Sequence, residues 1–438
     1  MTVPGRRLPF TAVDECADLL ERRGEPNVIL LELAVAGRLD AGRLRAAVDS
    51  AFQAHPMARA RRAAAGRWRF RSSWEIPERT DADPLTVAAP GAAPGDERRR
   101  TMDTPLPLGT SPLLRLRLLP GTGDGGDRLL VGAHHALFDA VSCLGFVTSV
   151  VRRYNGEPDP EPPLDPAVAR AGTQPDPSHP APTPAPSHDG GRPVRIARTA
   201  PRHTRGYGCV LFCLDPGATT ALAAGSRRRG VTVNDALIAA TAITVARWNR
   251  AHGHPSAPVR ITMPINTRDA AHRFEVISNL SRLTSVTATT DEPRALLASV
   301  AAQTTLAKRS SAPAGGPAAV LLGAPYLPYA VRRSFVPTVR LAARMFADTT
   351  MVSNLGRIPD PPPFDGAGPV TALWMAAPAP MPRGLSVSAL TVAGRLHLAV
   401  RFRRAALDEA AAGAFTDLLG HALEDVALLP TAHERLPR

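Results

Sequence analysis

Apolar and polar positions alternate along this chain in two rhythms, and each rhythm predicts an element. The continuous apolar run "NVILLELAVAG" (27–37) reads as a buried strand. In "LDAGRLRAAVDSAFQAHP" the apolar positions Leu44, Val48 and Phe52 instead recur at helical spacing. Asp40 is placed to cap that helix, and Pro56 closes it. "RWRFR" (67–71) alternates charge with Trp68 and Phe70, the period of a half-buried strand. "SPLLRLRLLP" repeats the alternation, and "GTGDGGD" then reads as a hairpin loop into "RLLVGAHH". From Ala140 to Tyr154 the helical spacing returns, with basic residues in the last turn.

Periodicity collapses between about 156 and 192, in "GEPDPEPPLDPAVARAGTQPDPSHPAPTPAPSHDGG", which predicts a poorly ordered or extended linker. It divides the chain into an N-terminal lobe (1–155) and a C-terminal lobe (193–438). The second lobe restarts with "GCVLFCLD", a strand. A strongly apolar helix follows over 232–250 and a buried strand over 259–269. A further strand enters a turn at 349–359, and two alternating strands joined at "AGR" span 384–402. A last helix begins at the capping residue Asp408. Strands and helices alternate irregularly, which predicts a mixed α/β (α+β) protein with antiparallel or mixed sheets.

Composition changes the picture only at its margins. With 438 residues, 44% hydrophobic and 21% charged, the chain is long enough for two domains or one two-lobed unit. No run of eighteen apolar residues suggests a membrane span, and no apolar segment follows the basic start to suggest a secretory signal. Four cysteines (Cys16, Cys143, Cys209 and Cys213) are too few and too irregular for a disulfide framework, so a reducing cytoplasm is the expected compartment. The formal charge of +13 invites a nucleic-acid partner. Its carriers are almost all Arg, with Lys308 the lone lysine, and no nucleic-acid-binding signature accompanies them. That pattern reads as codon bias, and no nucleic-acid partner is expected.

Candidate chemistry concentrates in "VGAHHALFDAVS" (131–142). Adjacent histidines on a strand point to opposite faces, so His134 and His135 are poorly placed to share one metal ion, and no metal is expected. Two readings remain. In one, the stretch is a buried polar knot in which Asp139 caps the following helix. In the other, one imidazole faces a cleft and takes a proton as a general base.

"HHALFDA" resembles the HHxxxDG motif of the condensation-domain superfamily of acyltransferases. That group includes the amide-forming domains of nonribosomal peptide synthetases, wax ester synthases, polyketide-associated acyltransferases, plant BAHD enzymes and, more distantly, chloramphenicol acetyltransferase. The resemblance extends through "GRLDAGRLRAAVDSAFQAHPMARAR", "TVNDALIAA", "MPINTRD" with "ISNLS", and "VSNLGRIP", in order along nearly the whole chain. It implies two chloramphenicol-acetyltransferase-like lobes, mixed sheets flanked by helices, and an active-site channel between them. His135 would be the general base, while His134 and Asp139 would be structural, Asp139 pairing with Arg268. Asn279, Ser353 and Asn354 match segments near the family's cleft, with strand-end hydrogen bonding the alternative reading. One position departs from the pattern: the motif glycine is Ala140 here. Its methyl group would narrow a thioester channel or shift an oxyanion-binding N–H.

The implied activity is transfer of an acyl group to a small-molecule hydroxyl or amine, in bacterial secondary metabolism or lipid biosynthesis. No bound cofactor is expected. The co-substrate would be an acyl-CoA or a phosphopantetheinyl carrier-protein thioester, supplied in trans because the only Asp-Ser pair lies in the helix around Ser50. The alternative, motivated by Ala140, is a lapsed scaffold that binds a carrier protein or an acyl chain.

Overall fold

The computed structural model describes residues 6–22, 24–122, 125–160, 165–171, 192–254, 258–268, 277–288, 292–309 and 321–430. Its first part contains β1 (Arg6–Pro9), α1 (Ala12–Leu20), β2 (Val28–Val35), α2 (Ala41–Ala54), β3 (Arg61–Arg62) and β4 (Ser73–Ile76). Then come β5 (Leu85–Val87), α3 (Pro94–Asp103), β6 (Leu114–Leu119), β7 (Arg128–His134), α4 (Ala140–Tyr154) and α5 (Pro166–Ala171). The second part begins with β8 (Tyr207–Cys213), α6 (Pro216–Arg228), α7 (Val233–Ala251), β9 (Val259–Asn266), β10 (Ser281–Ala288) and α8 (Pro293–Arg309). It ends with α9 (Tyr329–Ser334), α10 (Val336–Phe346), β11 (Thr350–Arg357), β12 (Val370–Ala376), β13 (Leu385–Val392), β14 (Arg395–Arg403) and α11 (Glu409–Leu428).

Local chemistry sets many of these boundaries. The Asp40 carboxylate accepts from the Arg43 N–H at 2.7 Å and starts α2. Thr232 and Asp235 form a reciprocal capping box that starts α7. α7 is apolar nearly all round because it packs among the sheet and helices α6, α8 and α11. β2 is almost wholly buried, which explains its unbroken apolar run.

The strands form three sheets, ordered β1-β4-β3, β12-β2-β7-β6-β5 and β10-β9-β11-β13-β14-β8. β11 runs parallel to β9 and β13, and β5 parallel to β6, so both large sheets are mixed. The architecture is the expected mixed α/β one in two lobes. On β14, alternation sends Leu396, Leu398, Val400 and Phe402 into the C-terminal core. Ala399 points the other way and packs with Leu30, Leu119 and Leu130 of the first lobe. The six-stranded sheet therefore lies with one face against the N-terminal lobe.

Three expectations need adjusting. The boundary at the linker is crossed by β12, which comes from the C-terminal part yet pairs with β2 at the edge of the five-stranded sheet. "RWRFR" is a turn rather than a strand, with Trp68 61% and Phe70 55% exposed. Its carbonyls serve α9 instead: Arg69 O accepts from Tyr329 N at 2.7 Å, and Phe70 O from Arg332 Nη2 at 2.8 Å. Within the proline-rich stretch, α5 is helical and Arg170 is buried, bonded to Asp14 and, at 2.9 Å, to Ser278 Oγ. Residues 161–164 and 172–191 of that stretch lie outside the described residues.

Candidate functional site

His134 is the last residue of β7 and stands opposite Val28 of β2. Its carbonyl accepts from Leu137 and Phe138 N–H at 3.1 and 3.0 Å, which winds "ALF" into a tight turn. Both nitrogens of its ring are occupied. Nδ1 accepts from the Ala136 N–H at 3.0 Å, which leaves Nε2 the proton it donates to Glu21 Oε1 at 3.1 Å. The ring is fully buried, as a structural histidine requires.

His135 is held differently. Its backbone N–H donates to Asn27 O at 2.8 Å, and its carbonyl accepts from Asn279 Nδ2 at 2.7 Å. Its Nδ1 lies 2.9 Å from Phe138 O. A carbonyl can only accept, so Nδ1 carries the proton and Nε2 keeps a lone pair. Burial pushes the imidazole below its ordinary value of 6.5, against the opposing pull of the Phe138 carbonyl and Asp139. As a residue His135 is only half-buried, whereas His134 is fully buried. One histidine is locked, and its neighbour offers an unprotonated nitrogen.

Asp139 caps α4 by accepting from Ser142 N at 2.8 Å. Arg268 meets it in a two-point pair, Nη1 to Oδ2 at 2.6 Å and Nη2 to Oδ1 at 2.9 Å. Leu280 N–H adds a bond to Oδ2 at 2.9 Å. Burial would raise the Asp139 carboxyl, but the Arg268 guanidinium and these N–H donors hold it below the usual range. Arg268 also donates to Ser142 Oγ at 2.7 Å and to Ser278 O at 2.6 Å. The first turn of α4 is thereby tied to the segment between β9 and β10, which places the motif at the seam between the lobes.

The remaining sequence candidates divide. Asn279 reaches the motif, but through the His135 backbone, and its Oδ1 is buried with no hydrogen-bond partner among the described residues. Ser353 is buried on β11 beside Ser388 of β13, and Asn354 Oδ1 accepts from Gly356 N at 2.8 Å. Asn354 thus makes a local hydrogen bond within β11. Ala140 is the first residue of α4, and Ala393 is the only non-glycine with positive φ among the described residues. The position therefore needs no glycine for its backbone.

Sequence reasoning missed Glu21, Ser142 and Ser278, which complete the two polar clusters. Glu21 sits in the polar stretch "ERRGEP", which carries no pattern to set it apart. A cavity of about 400 Å³ beside β3 and β4 is lined by Arg61, Arg62, Arg69 and Glu75 and contains none of the motif residues. No described helix is long and apolar enough to cross a membrane.

No family model matches the chain. Two relatives from Mycobacterium tuberculosis do: uncharacterized protein Rv2305 (strain H37Rv) and uncharacterized protein MT2362 (strain CDC 1551). Each is 34% identical over 389 residues, covering 85% of this chain and 89% of the relative. The chain belongs to their family. Its fold is the condensation-domain fold. The first condensation domain of the calcium-dependent antibiotic synthetase, in complex with substrate analogue 3a, superposes with a TM-score of 0.70 at 16% identity, covering 98% of both chains. Polyketide synthase associated protein 5 from Mycobacterium tuberculosis gives 0.63 at 15% identity, covering 98% of this chain and 99% of that one. This condensation-domain-like chain keeps His135, Asp139 and Arg268 together at the lobe seam.

Proposed function

We propose that this protein is an acyltransferase that moves an acyl group from a coenzyme A or carrier-protein thioester to the hydroxyl or amine of a small acceptor, with His135 as general base. The observation that carries the reading is the His135 ring itself. Nδ1–H is fixed on the Phe138 carbonyl, and burial favours the neutral form, so Nε2 is ready to accept a proton near neutral pH. In the proposed step Nε2 takes the acceptor's proton as its oxygen or nitrogen bonds to the thioester carbonyl carbon. The tetrahedral adduct then breaks its C–S bond, and the imidazolium returns the proton to the departing sulfur. Asp139 and Arg268 hold the turn that aims the ring, and they take no proton.

The neighbours named above support this direction, since one is a condensation domain holding a substrate analogue and another is a polyketide synthase associated protein. The rival reading, a scaffold without chemistry, draws on Ala140 alone. A helical backbone at that position removes the conformational objection to alanine. The two readings separate in an assay of purified protein with acyl-CoA and acyl-carrier thioesters against alcohol and amine acceptors. Product that depends on His135 supports acyl transfer. Thioester binding with no product from any pair supports the scaffold.

A further inference from the structure

Exposed apolar side chains are unevenly distributed. Of the eleven large apolar side chains exposed among the described residues, six (Trp68, Phe70, Tyr326, Phe335, Leu341 and Phe346) come from just two segments, 67–71 and 326–346. The segments touch, because Arg69 O and Arg67 O accept from Tyr329 N and Ala330 N at 2.7 and 3.0 Å. Arg69 also lies over the Tyr329 ring at 3.8 Å.

α10 shows why this face is unusual. Val336 and Val339 pack inward against Leu19 and Leu322, and Arg340 donates to the Glu21 carbonyl at 2.9 Å. The opposite side of a surface helix is ordinarily polar. Here it presents Pro337, Leu341 and Ala342, with Phe335 and Phe346 at the two ends, all exposed. Thr338 and Arg344 are the polar exposed residues beside them, and Arg192 and Arg195 reach only the C-terminal end of the helix, at Met345 Sδ and the Arg344 carbonyl.

Charge points to the occupant. The stretches 61–71 and 326–346 contain nine arginines and no Asp or Glu. Carboxylates from elsewhere pair with four of them: Arg61 with Asp81 and Glu75, Arg62 and Arg69 with Asp18, and Arg332 with Glu15. Arg67, Arg71, Arg333, Arg340 and Arg344 form no ion pair among the described residues. Trp and Tyr favour the headgroup level of a bilayer, Leu and Phe the acyl boundary beneath it, and arginines the anionic lipid phosphates. Each arginine near an anionic surface strengthens binding by about fivefold.

We infer that α10, together with the 67–71 turn, docks this protein on an anionic membrane surface. The chain would lie on the interface rather than cross it. Docking does not depend on the chemistry at His135, so failure of one leaves the other standing. The inner side of α10 bonds the Glu21 carbonyl, and the Glu21 carboxylate holds the His134 ring, so one residue links the docking helix to the motif.

The test is co-flotation of the full chain with vesicles of phosphatidylcholine alone and of phosphatidylcholine mixed with phosphatidylglycerol. Binding is expected on the mixed vesicles and should fall as salt rises. Leu341→Ser with Phe346→Ser should weaken it by at least about tenfold, since each removes an inserted apolar side chain. Arg333→Gln with Arg344→Gln should weaken it and flatten its salt dependence. All four residues are exposed, so an unchanged melting temperature is expected and separates docking from folding. Equal partition onto both vesicle types, or no loss from either pair, would overturn the inference. So would binding of an acidic carrier protein that the same substitutions abolish, in a chain that ignores vesicles.

Discussion

Arg268 and Arg401 both bring a buried guanidinium from the second half of the chain to the N-terminal lobe, and they are treated in opposite ways. The Arg268 side chain is 1% exposed and meets Asp139 at two points, with Ser142 Oγ and Ser278 O completing its surroundings. Arg401 is fully buried, yet only its Nη1 donates, to Val28 O, while Nε and Nη2 find no hydrogen-bond partner among the described residues. The Tyr207 ring lies 4.1 Å below it and is shared with Arg403 on the same strand. Burial pushes the Arg401 pKa down, as expected for a cation with little compensation. Burial of an arginine is thus no measure of what it contributes. What matters is how many of its terminal nitrogens reach an acceptor: both do in Arg268, and only Nη1 does in Arg401.

The comparison breaks most easily at its strong end. Asp139→Ala and Arg268→Ala should each cost about 3–5 kcal/mol in urea unfolding, because each leaves an uncompensated buried charge. The double variant should lose less than their sum. Strictly additive losses would mean that the pair is not coupled. A smaller effect is expected from Asn279→Ala, which deletes the donor on the His135 carbonyl and should cost about 1–3 kcal/mol. Arg401→Met should be the mildest. It removes a poorly satisfied cation at similar volume, so stability should stay within about 1 kcal/mol of wild type or rise. A loss as large as that of Arg268→Ala would erase the distinction between the two arginines.

The strong contact was legible in the sequence, and the weak one was not. The Asp139–Arg268 pair follows from the motif and the "MPINTRD" strand, whose resemblance places both residues before any contact is known. Most element positions were legible for a simpler reason: β2, β7, α4, β13 and β14 carry their period in the chain. Pairing across long separations carries no such mark. β12 reads as an apolar run, but nothing in it says that it joins β2, more than 300 residues earlier. Glu21 and Arg401 are hidden for the same reason, since each acts through a partner from another part of the chain. The "RWRFR" turn failed in the opposite direction. Its alternation was real, but its backbone hydrogen bonds go to α9 instead of a strand, and the tips of Trp68 and Phe70 stay in solvent. Ala140 departs from the motif glycine, and its methyl group is the reason to expect a narrowed channel or a shifted N–H. At the first residue of α4 the backbone is helical, so Ala140→Gly should change the transfer rate by less than about tenfold.

The most direct test is single-turnover acyl transfer by wild type and His135→Ala, followed from neutral to acidic pH. Wild type should transfer, and the rate should hold until the pH falls below the ordinary histidine value of 6.5. The depressed pKa keeps Nε2 unprotonated down to that point, and protonation below it removes the base. His135→Ala should be slower by about two to four orders of magnitude at an unchanged melting temperature. A His135→Ala protein that transfers at the wild-type rate would contradict the assignment, as would a wild type that binds thioesters and transfers none.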